Sequence, residues 1–340
     1  MKKIFIFITL ISMFILSGCS QSNENTVFKD LTNKINKLNS YTLNGNLEIK
    51  NNNDKHTYNV KVNYMKDDKF KVALTNTSNN HEQVILKNDD GVFVLTPSLN
   101  KSFKFQSDWP YNNSQIYLLK SVIDDLNNDQ QVEKQVDGDK YIFISKVNYP
   151  NNNDLIKQKV TVTNDLNIQK VEVLNDKDEV EMSFTVLNID YNPTFDEAYF
   201  EVNSIINTKQ TNDDQKDDDD DTSKTATLDD IVYPLYLPTG TVLEGREKVS
   251  KTDGERVILT FTGDKSFTLV EETVDVLDEL TIIPTYGEPS FINDTIGAIT
   301  DNSLNWTSNG IEYYIVSDVM NKEELLSVAK SIDIKTNNMK

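Results

Sequence analysis

Cysteine and histidine are scarce in this sequence, with one cysteine and two histidines among 340 residues. A single cysteine excludes an internal disulfide and a thiolate zinc site. Two histidines leave little room for a histidine-rich metal centre or a histidine-based triad. Basic residues are also few, since 34 lysines and arginines accompany 54 acidic residues and the formal net charge is −20. A chain this acidic repels phosphate backbones, so we expect no nucleic-acid partner.

The N-terminus has the pattern of a bacterial lipoprotein signal. Two lysines precede an apolar run over residues 4–16, which is shorter than the roughly 20 residues of a membrane-spanning helix but suits a signal peptide. The run ends in four residues that match a lipobox: Leu16, Ser17, Gly18 and Cys19. We therefore predict acylation of Cys19, palmitate included, and anchoring on the extracytoplasmic face of the cell membrane. The alternative is a secretory signal that contains a cysteine by chance.

An aspartate-rich stretch divides the rest of the chain. Residues 208–226 include the run Asp217–Asp221 and contain no large apolar residue. Such a run stays solvated and extended. The alternative is a calcium-binding segment, but residues 208–226 lack the alternating oxygen ligands and the turn glycine of an EF-hand loop. We expect this spacer to let two domains fold independently. The predicted segments are a signal peptide (1–18), a lipidated tether (19–26), a first domain (27–205), an acidic disordered linker (206–227) and a second domain (228–336).

The first domain reads as a mainly β structure. Phe28, Leu31 and Ile35 recur at helical spacing, and then apolar residues alternate with polar ones over many short segments separated by turn signals such as Asp137-Gly138. One further helical pattern covers residues 116–126. The count is about eleven antiparallel strands and two helices. Strands with one apolar face need a cover, and the two helices would supply it on the concave side of a curved sheet.

The second domain has weaker signals, which predict a small α+β fold. Strand patterns occur at residues 257–261, 267–270 and 311–316. Asn321 with Glu324 matches a capping box and predicts a helix behind it. This part resembles an uncharacterised domain that recurs at the C-terminus of Gram-positive lipoproteins, and the resemblance implies no chemistry.

One segment of the first domain carries a specific resemblance. Residues 91–126 read GVFVLTPSLNKSFKFQSDWPYNNSQIYLLKSVIDDL, and residues 96–111 are their most distinctive part. With the lipobox, they resemble the LolA-like lipoproteins of spore-forming Gram-positive bacteria, of the YdcC and GerS type. The resemblance covers about residues 1–203. It implies an unclosed antiparallel β-barrel of about eleven strands wrapped around helices, a setting in sporulation or spore germination, and a cell-wall amidase or another spore-envelope protein as partner.

Residues for catalysis or metal binding do not form a recognisable pattern. His56 and His81 lack metal-ligand spacing and are interpreted as surface histidines. Asp275, Asp278 and Glu279 are close in sequence, but carboxylates are common throughout the chain and no catalytic pair can be chosen from them. Nucleophile-elbow, phosphate-loop and zinc-protease motifs are missing from the sequence. We expect a protein that is not an enzyme and needs no cofactor.

An aromatic cluster is the candidate partner or ligand surface. Its members are Phe103, Phe105, Trp109 and Tyr111, flanked by Lys101 and Lys104. Trp and Tyr favour binding sites, and the two lysines would suit an acidic partner. The alternative is structural: the phenylalanines face the sheet interior, Trp109 plugs a corner between sheet and helix, and the lysines are solvated.

The leading hypothesis is therefore a membrane-anchored extracytoplasmic lipoprotein. Its LolA-like domain would bind a protein partner or an apolar ligand during sporulation or germination, and it could regulate a cortex-modifying amidase. The alternative is a carrier or chaperone for lipids or lipoproteins. Anchoring argues against a carrier, because a shuttle must leave its membrane.

Overall fold

The structure is a computed structural model that describes residues 23–51, 54–107, 109–205, 228, 231–251, 254–274 and 276–332. The predicted signal peptide, the lipobox with Cys19 and the predicted linker 206–227 lie outside the described residues. Within these ranges, the helices are too short or too polar to cross a membrane. We call residues 23–205 the first region and the described residues of 228–332 the second region.

The described chain contains nineteen strands, three α-helices of at least nine residues, and shorter helical segments at residues 97–99, 197–200 and 202–205. The helices are α1 (Glu24–Asn36), α2 (Leu119–Asn128) and α3 (Lys322–Lys330). The strands of the first region are β1 (Ser40–Asn51), β2 (Asp54–Met65), β3 (Lys69–Asn76), β4 (Glu82–Asn88), β5 (Gly91–Thr96), β6 (Lys101–Phe105), β7 (Glu133–Asp137), β8 (Lys140–Lys146), β9 (Lys157–Thr163), β10 (Ile168–Leu174) and β11 (Val180–Tyr191). Those of the second are β12 (Thr241–Lys251), β13 (Gly254–Gly263), β14 (Phe267–Thr273), β15 (Thr281–Thr285), β16 (Glu288–Ile292), β17 (Thr295–Ile299), β18 (Ser303–Ser308) and β19 (Ile311–Val316).

The start of α1 corrects the predicted tether. The sequence pattern placed residues up to 26 in an irregular segment, but the helix begins at Glu24. The side chain of Asn23 accepts a hydrogen bond from the backbone N–H of Asn25 at 2.8 Å, so it caps the helix. An asparagine at this position satisfies one of the free N–H groups of the first turn.

The large sheet has the mainly β, unclosed architecture that the sequence predicts. Its strand order is β15-β6-β5-β4-β3-β2-β1-β11-β10-β9-β8-β7, so eleven of its twelve strands come from the first region. These eleven pair in antiparallel fashion. Because the order begins at β15 and ends at β7, the described sheet is open rather than a closed barrel.

Both predicted helices of the first region cover one face of this sheet, which we call the inner face. Helix α1 buries Val27, Leu31 and Ile35, and α2 buries an apolar row that includes Ile123 and Leu126. These residues join the inner-face side chains of the sheet in one hydrophobic cluster. Apolar residues recur about every 3.6 residues in the helices and every two residues in the strands. Each repeat identifies the face of the element that packs against the other, and this made the fold class predictable.

The opposite, outer face is also covered around β4 and β5. Val84 and Leu86 of β4 and Phe93 of β5 form a second cluster with Phe200 and Val202. The segment after β11 therefore folds back over the sheet. Strands buried on both faces lose the alternation of apolar and polar residues, as the continuous run in β5 shows.

The second region forms a seven-stranded sheet with one covering helix. The strand order is β12-β13-β14-β19-β18-β17-β16. Helix α3 begins with the capping box that the sequence predicts, because Asn321 Oδ1 accepts from the N–H of Glu324 and Glu324 Oε2 accepts from the N–H of Asn321. Leu325 and Val328 of α3 are fully buried in the core of this region.

The two regions are in close contact, which independent folding does not require, so their independent folding stays a prediction. Strand β15 belongs to the second region by sequence but pairs in parallel with β6 of the large sheet, with Thr281 opposite Lys101 and Thr285 opposite Phe105. Ile296 and Ala298 of β17 lie in the hydrophobic cluster of the first region. A spacer between two segments limits neither strand pairing nor packing at other points of the chain. The predicted boundaries themselves stay a prediction.

Candidate functional site

The aromatic residues of the predicted surface lie mostly inside the protein. Trp109 is 2% exposed and Phe105 is 5% exposed, and both belong to the main hydrophobic cluster. The ring of Trp109 meets that of Phe70 edge-on, with 6.2 Å between the centroids. Phe103 is half-buried against the same cluster. Burial agrees with the packing alternative for Phe105 and Trp109, which are inaccessible to a partner in this structure.

Lys101, Lys104 and Tyr111 have partners within the chain. The ammonium group of Lys101 lies 3.8 Å from a carboxylate oxygen of Glu312 in the second region. That of Lys104 lies 5.5 Å from the ring centroid of Phe93. Tyr111 is 63% exposed, and its hydroxyl donates a hydrogen bond to Asp68 at 3.0 Å. Lys101 thus lies near a carboxylate of the protein's own second region, and its role towards an acidic partner stays a prediction.

A cavity of about 770 Å³ lies between the two regions, and the sequence did not predict it. The first region contributes the loops around residues 113–117 and 149–155, together with Trp109, Glu181 and Met182. The second region contributes residues 289–291 and one side of α3 from Glu323 to Lys330. Volumes of 300–1,000 Å³ are typical of small-molecule sites, which often lie where two domains meet.

Glu288 connects the two walls of this cavity. One oxygen of its carboxylate accepts a hydrogen bond from the side-chain amide of Asn112 at 2.6 Å, and the other accepts from that of Asn151 at 3.1 Å. On α3, the carboxylate of Glu323 accepts from the side-chain amide of Asn153. Bonds from a carboxylate to donors on separate loops position those loops relative to the second region.

Buried polar contacts between the regions reinforce this arrangement. The side chain of Gln83 donates to the carbonyl oxygen of Ile296 at 3.3 Å and accepts from the N–H of Ile296 at 2.6 Å. The hydroxyl of Tyr58 donates to the carbonyl oxygen of Asn293 at 3.1 Å. A side chain that satisfies both backbone groups of one residue fixes its position, because each group would otherwise be buried without a partner.

Lys330 supplies an enclosed positive charge to the cavity wall. It lies in the last turn of α3 and is half-buried. Burial lowers the pKa of Lys330, while the nearby carboxylates of Asp154 and Glu181 act in the opposite direction and raise it. Nothing in the sequence pattern singled out Lys330, since a lysine near a helix C-terminus is ordinary.

Two acids outside the cavity lining, the half-buried Asp125 and the buried Glu271, have raised pKa values. Burial raises the pKa of Asp125 on α2 to about 7; a hydrogen bond with Ser114 lowers it and the neighbouring Asp124 raises it further. Burial likewise raises the pKa of Glu271 on β14 to about 7, and a hydrogen bond from the N–H of Val232 partly offsets this.

The histidines and acids that the sequence offered for metal binding or catalysis do not form a cluster among the described residues. His56 lies in β2 and His81 immediately precedes β4. Among the described residues, no three or more histidine, cysteine, aspartate or glutamate side chains are grouped so that they could hold a metal ion. Asp278 and Glu279 are exposed in the segment before β15.

Sequence comparison identifies one well-matched family. A family model described as "Sporulation protein YdcC-like" matches residues 1–200. The sporulation protein YdcC of Bacillus subtilis strain 168 is 35% identical over 324 residues, which are 95% of this chain and 94% of the relative.

Solved structures with a similar chain course include proteins of several functions. A putative outer membrane lipoprotein-sorting protein domain from Vibrio parahaemolyticus is 12% identical, with 54% of this chain and 100% of that chain covered and a TM-score of 0.35. LolA superfamily protein NE2245 from Nitrosomonas europaea is 8% identical, with 54% and 99% covered and a TM-score of 0.32. The CwlD amidase of Clostridioides difficile in complex with the GerS lipoprotein contains a chain that is 18% identical, with 52% and 96% covered and a TM-score of 0.28.

Proposed function

The chain belongs to the YdcC-like family of sporulation proteins, and from this premise we propose that it is an extracytoplasmic lipoprotein that binds a ligand or a partner segment in the cavity between its two regions. Cys19 would hold the protein on the membrane, and the two regions together would form the binding unit. The role is binding rather than catalysis.

The cavity is the observation that supports this proposal most directly. It measures about 770 Å³, and both regions contribute to its walls. Hydrogen bonds of Glu288 and Gln83 hold these walls in place before any ligand arrives. A preformed site loses less conformational entropy on binding than a site that must first be ordered.

The anchor is proposed from the lipobox alone. Leu16, Ser17 and Gly18 precede the chain's single cysteine behind an apolar run of signal-peptide length. Cys19→Ala should abolish acyl labelling and move the protein out of the detergent phase. Acyl labelling that persists in Cys19→Ala would contradict the anchor.

A lipid carrier is less well supported. Helices α1 and α2 fill the inner face of the large sheet with the protein's own side chains, among them Leu31 and Ile123, which are fully buried. An acyl chain in the remaining cavity would lie against Lys330, Glu181 and Glu323 without compensating their lost hydration. The amidase suggested by the sequence resemblance stays a candidate partner, as does any other spore-envelope protein.

Capture of a binding partner tests the proposal. The full-length lipidated protein is purified from solubilised membranes of sporulating cells, and co-purifying proteins and small molecules are identified by mass spectrometry. In the blocking variant, Ser327→Trp, a bulky ring replaces an exposed serine that lines the cavity. In the matched control, Lys29→Trp, the same ring replaces an exposed residue on the outer side of α1.

We expect the wild type and Lys29→Trp to retain the same specific component and Ser327→Trp to lose it. Equal recovery from all three proteins would contradict a binding site in the cavity. Recovery of no specific component from wild type would contradict the binding function.

A further inference from the structure

The cavity differs in charge balance from the rest of the protein. Three lysines line it, Lys50, Lys177 and Lys330, and so do four acids: Asp154, Asp176, Glu181 and Glu323. The whole chain, in contrast, has a formal charge of −20. A nearly balanced lining gives no net attraction to a polyanion or to a polycation, so the most compatible charged ligand carries both signs.

Lys330 and the two carboxylates that raise its pKa come from different regions. Lys330 lies on α3 of the second region, whereas Asp154 and Glu181 lie on a loop and on β11 of the first. Lys330 makes no hydrogen bond or close ion pair with the described part of the chain, although both carboxylates are near enough to raise its pKa. An enclosed ammonium group without a direct partner favours a ligand that supplies an oxygen acceptor, because its own hydration is incomplete.

Apolar and amide groups line the remainder of the cavity. Ile116, Phe291 and Leu326 offer apolar contacts, and the backbone and side chains of the asparagine-rich loop 151–153 offer hydrogen-bonding groups. A hydrocarbon would leave these polar groups without partners, and a neutral sugar would leave Lys330 without an anion. A short peptide provides apolar side chains, amide groups and charges of both signs in one molecule.

We propose that the cavity binds a short peptide segment that carries an acidic and a basic group. Lys330 contacts the acidic group, and Asp154 and Glu181 contact the basic one. The segment is either a free peptide or an accessible loop or terminus of a partner protein, which present the same chemistry. This inference rests on the proposed binding function and names the ligand class of the same site.

Fluorescence anisotropy with labelled tetrapeptides tests this inference on the full chain without its signal peptide. The probe is blocked at both ends and reads Leu-Glu-Lys-Leu; its neutral counterpart reads Leu-Gln-Gln-Leu. Lys330→Gln removes the charge, Lys330→Arg keeps it, and Lys322→Gln is the matched control on the same helix, since Lys322 pairs with Asp301 and does not line the cavity. Thermal melting of each variant reports on folding.

We expect wild type, Lys330→Arg and Lys322→Gln to bind the charged probe at least about tenfold more tightly than the neutral one, as a charge-assisted hydrogen bond allows. Lys330→Gln should lose most of this preference. Equal affinity for both probes, or a preference that survives in a well-folded Lys330→Gln, would overturn the inference. If Lys330→Gln does not fold, wild type and Lys330→Arg are compared instead. A preference of both proteins for the charged probe supports the inference, and equal affinity for the two probes overturns it.

Competition separates the two sources of the peptide. The charged probe should displace a protein captured by the wild type if the ligand is a segment of that protein, and it should leave the complex intact if the natural ligand is a free peptide. If the wild type captures a specific component but binds both probes equally, the peptide inference is wrong and the proposed binding function is still supported. If the wild type captures no specific component and shows no preference between the probes, both the binding function and the peptide inference are wrong.

Discussion

The two regions bury their apolar surfaces in different ways. The first region covers the inner face of its sheet with its own helices and part of the outer face with residues 195–205. The second region covers its sheet with α3, but it also extends β15 along the edge of the large sheet and inserts Ile296 into the other core. The comparison shows that the second region places apolar side chains in the core of the first, and that it covers the edge strand β6 of the first.

The covering of one region by the other is clearest at the edge strand β6. In isolation this strand would expose one row of backbone N–H and C=O groups at the sheet edge, which favours pairing with other chains. Strand β15 occupies that edge here, and Lys101 and Glu312 lie close to each other beside it. The aromatic cluster around β6 is thus part of the contact between the regions. Three tests follow, from the largest expected effect to the smallest.

Removing a core tryptophan from either region should give the largest effect. Trp109 and Trp306 are 2% and 3% exposed, and truncation of such a side chain to alanine costs about 3–5 kcal/mol of unfolding free energy. Because the regions share a sheet and a hydrophobic cluster, we expect Trp109→Ala and Trp306→Ala to lower the same calorimetric transition. The exposed Tyr111→Ala serves as control and should change stability by less than about 1 kcal/mol. Two transitions, each lowered by only one of the variants, would mean that the regions fold independently.

The buried acid of the second region should give a pH-dependent effect. Burial raises the pKa of Glu271 from 4.5 to about 7, so the folded protein holds this proton more tightly than the unfolded chain. The resulting stability is complete below pH 4.5, falls as the pH rises towards 7 and is lost above it. Relative to wild type, Glu271→Gln should therefore become more stable with rising pH, by up to about 3 kcal/mol at pH 8. Urea unfolding at pH 5 and pH 8 measures this difference.

The neighbouring Glu272 is the matched control for that test. Burial raises its pKa, but hydrogen bonds from Lys251 and Arg256 outweigh this and lower the pKa overall. Its contribution has the opposite sign: it is present above the unfolded pKa and is lost as the pH falls through the lower folded value. Glu272→Gln should thus destabilise the protein at pH 8, by about 1 kcal/mol or less. Equal pH profiles for the two variants would contradict the assigned burial of Glu271.

A single hydrogen-bonding side chain between the regions should give the smallest effect. Gln83→Ala leaves the N–H and the carbonyl of Ile296 without the partners that Gln83 provides. We expect a loss of about 2 kcal/mol and faster hydrogen exchange at the Ile296 amide. Gln135→Ala, on the exposed edge strand β7, is the matched control and should change neither. Unchanged exchange at Ile296 in Gln83→Ala would show that Gln83 does not hold Ile296 in place.

Short-range patterns predicted much of the fold. The alternation along Tyr41–Ile49 and the helical spacing of Leu31 and Ile35 led to eleven antiparallel strands and covering helices, and the capping box at Asn321 located the last helix. These features depend on residues close in sequence, and local geometry determines their pattern. The start of α1 was missed by three residues because Asn23 and Asn25 are both plausible caps.

The candidate site was less accessible to such reasoning. The cluster around Trp109 was recognised from composition, but composition does not distinguish a buried plug from an exposed patch. Lys330, Asp154 and Glu181 are far apart in the chain and belong to no motif. Their common position results from the docking of the two regions. The asparagines at 112–113 and 151–153 were visible in the sequence, but their bonds to Glu288 and Glu323 were not.

The sequence by itself therefore determined the class of each segment: the signal and lipobox patterns, the antiparallel strands, the helices and the acidic character of the chain. Only the tertiary structure decided that β15 completes the large sheet, that the predicted partner surface lies against the second region, and that a cavity with charges of both signs remains between them. The physical reason is that periodicity records which side of an element is apolar. It does not record which distant surface covers that side, since strand edges and apolar faces accept any partner of matching shape and hydrogen bonding.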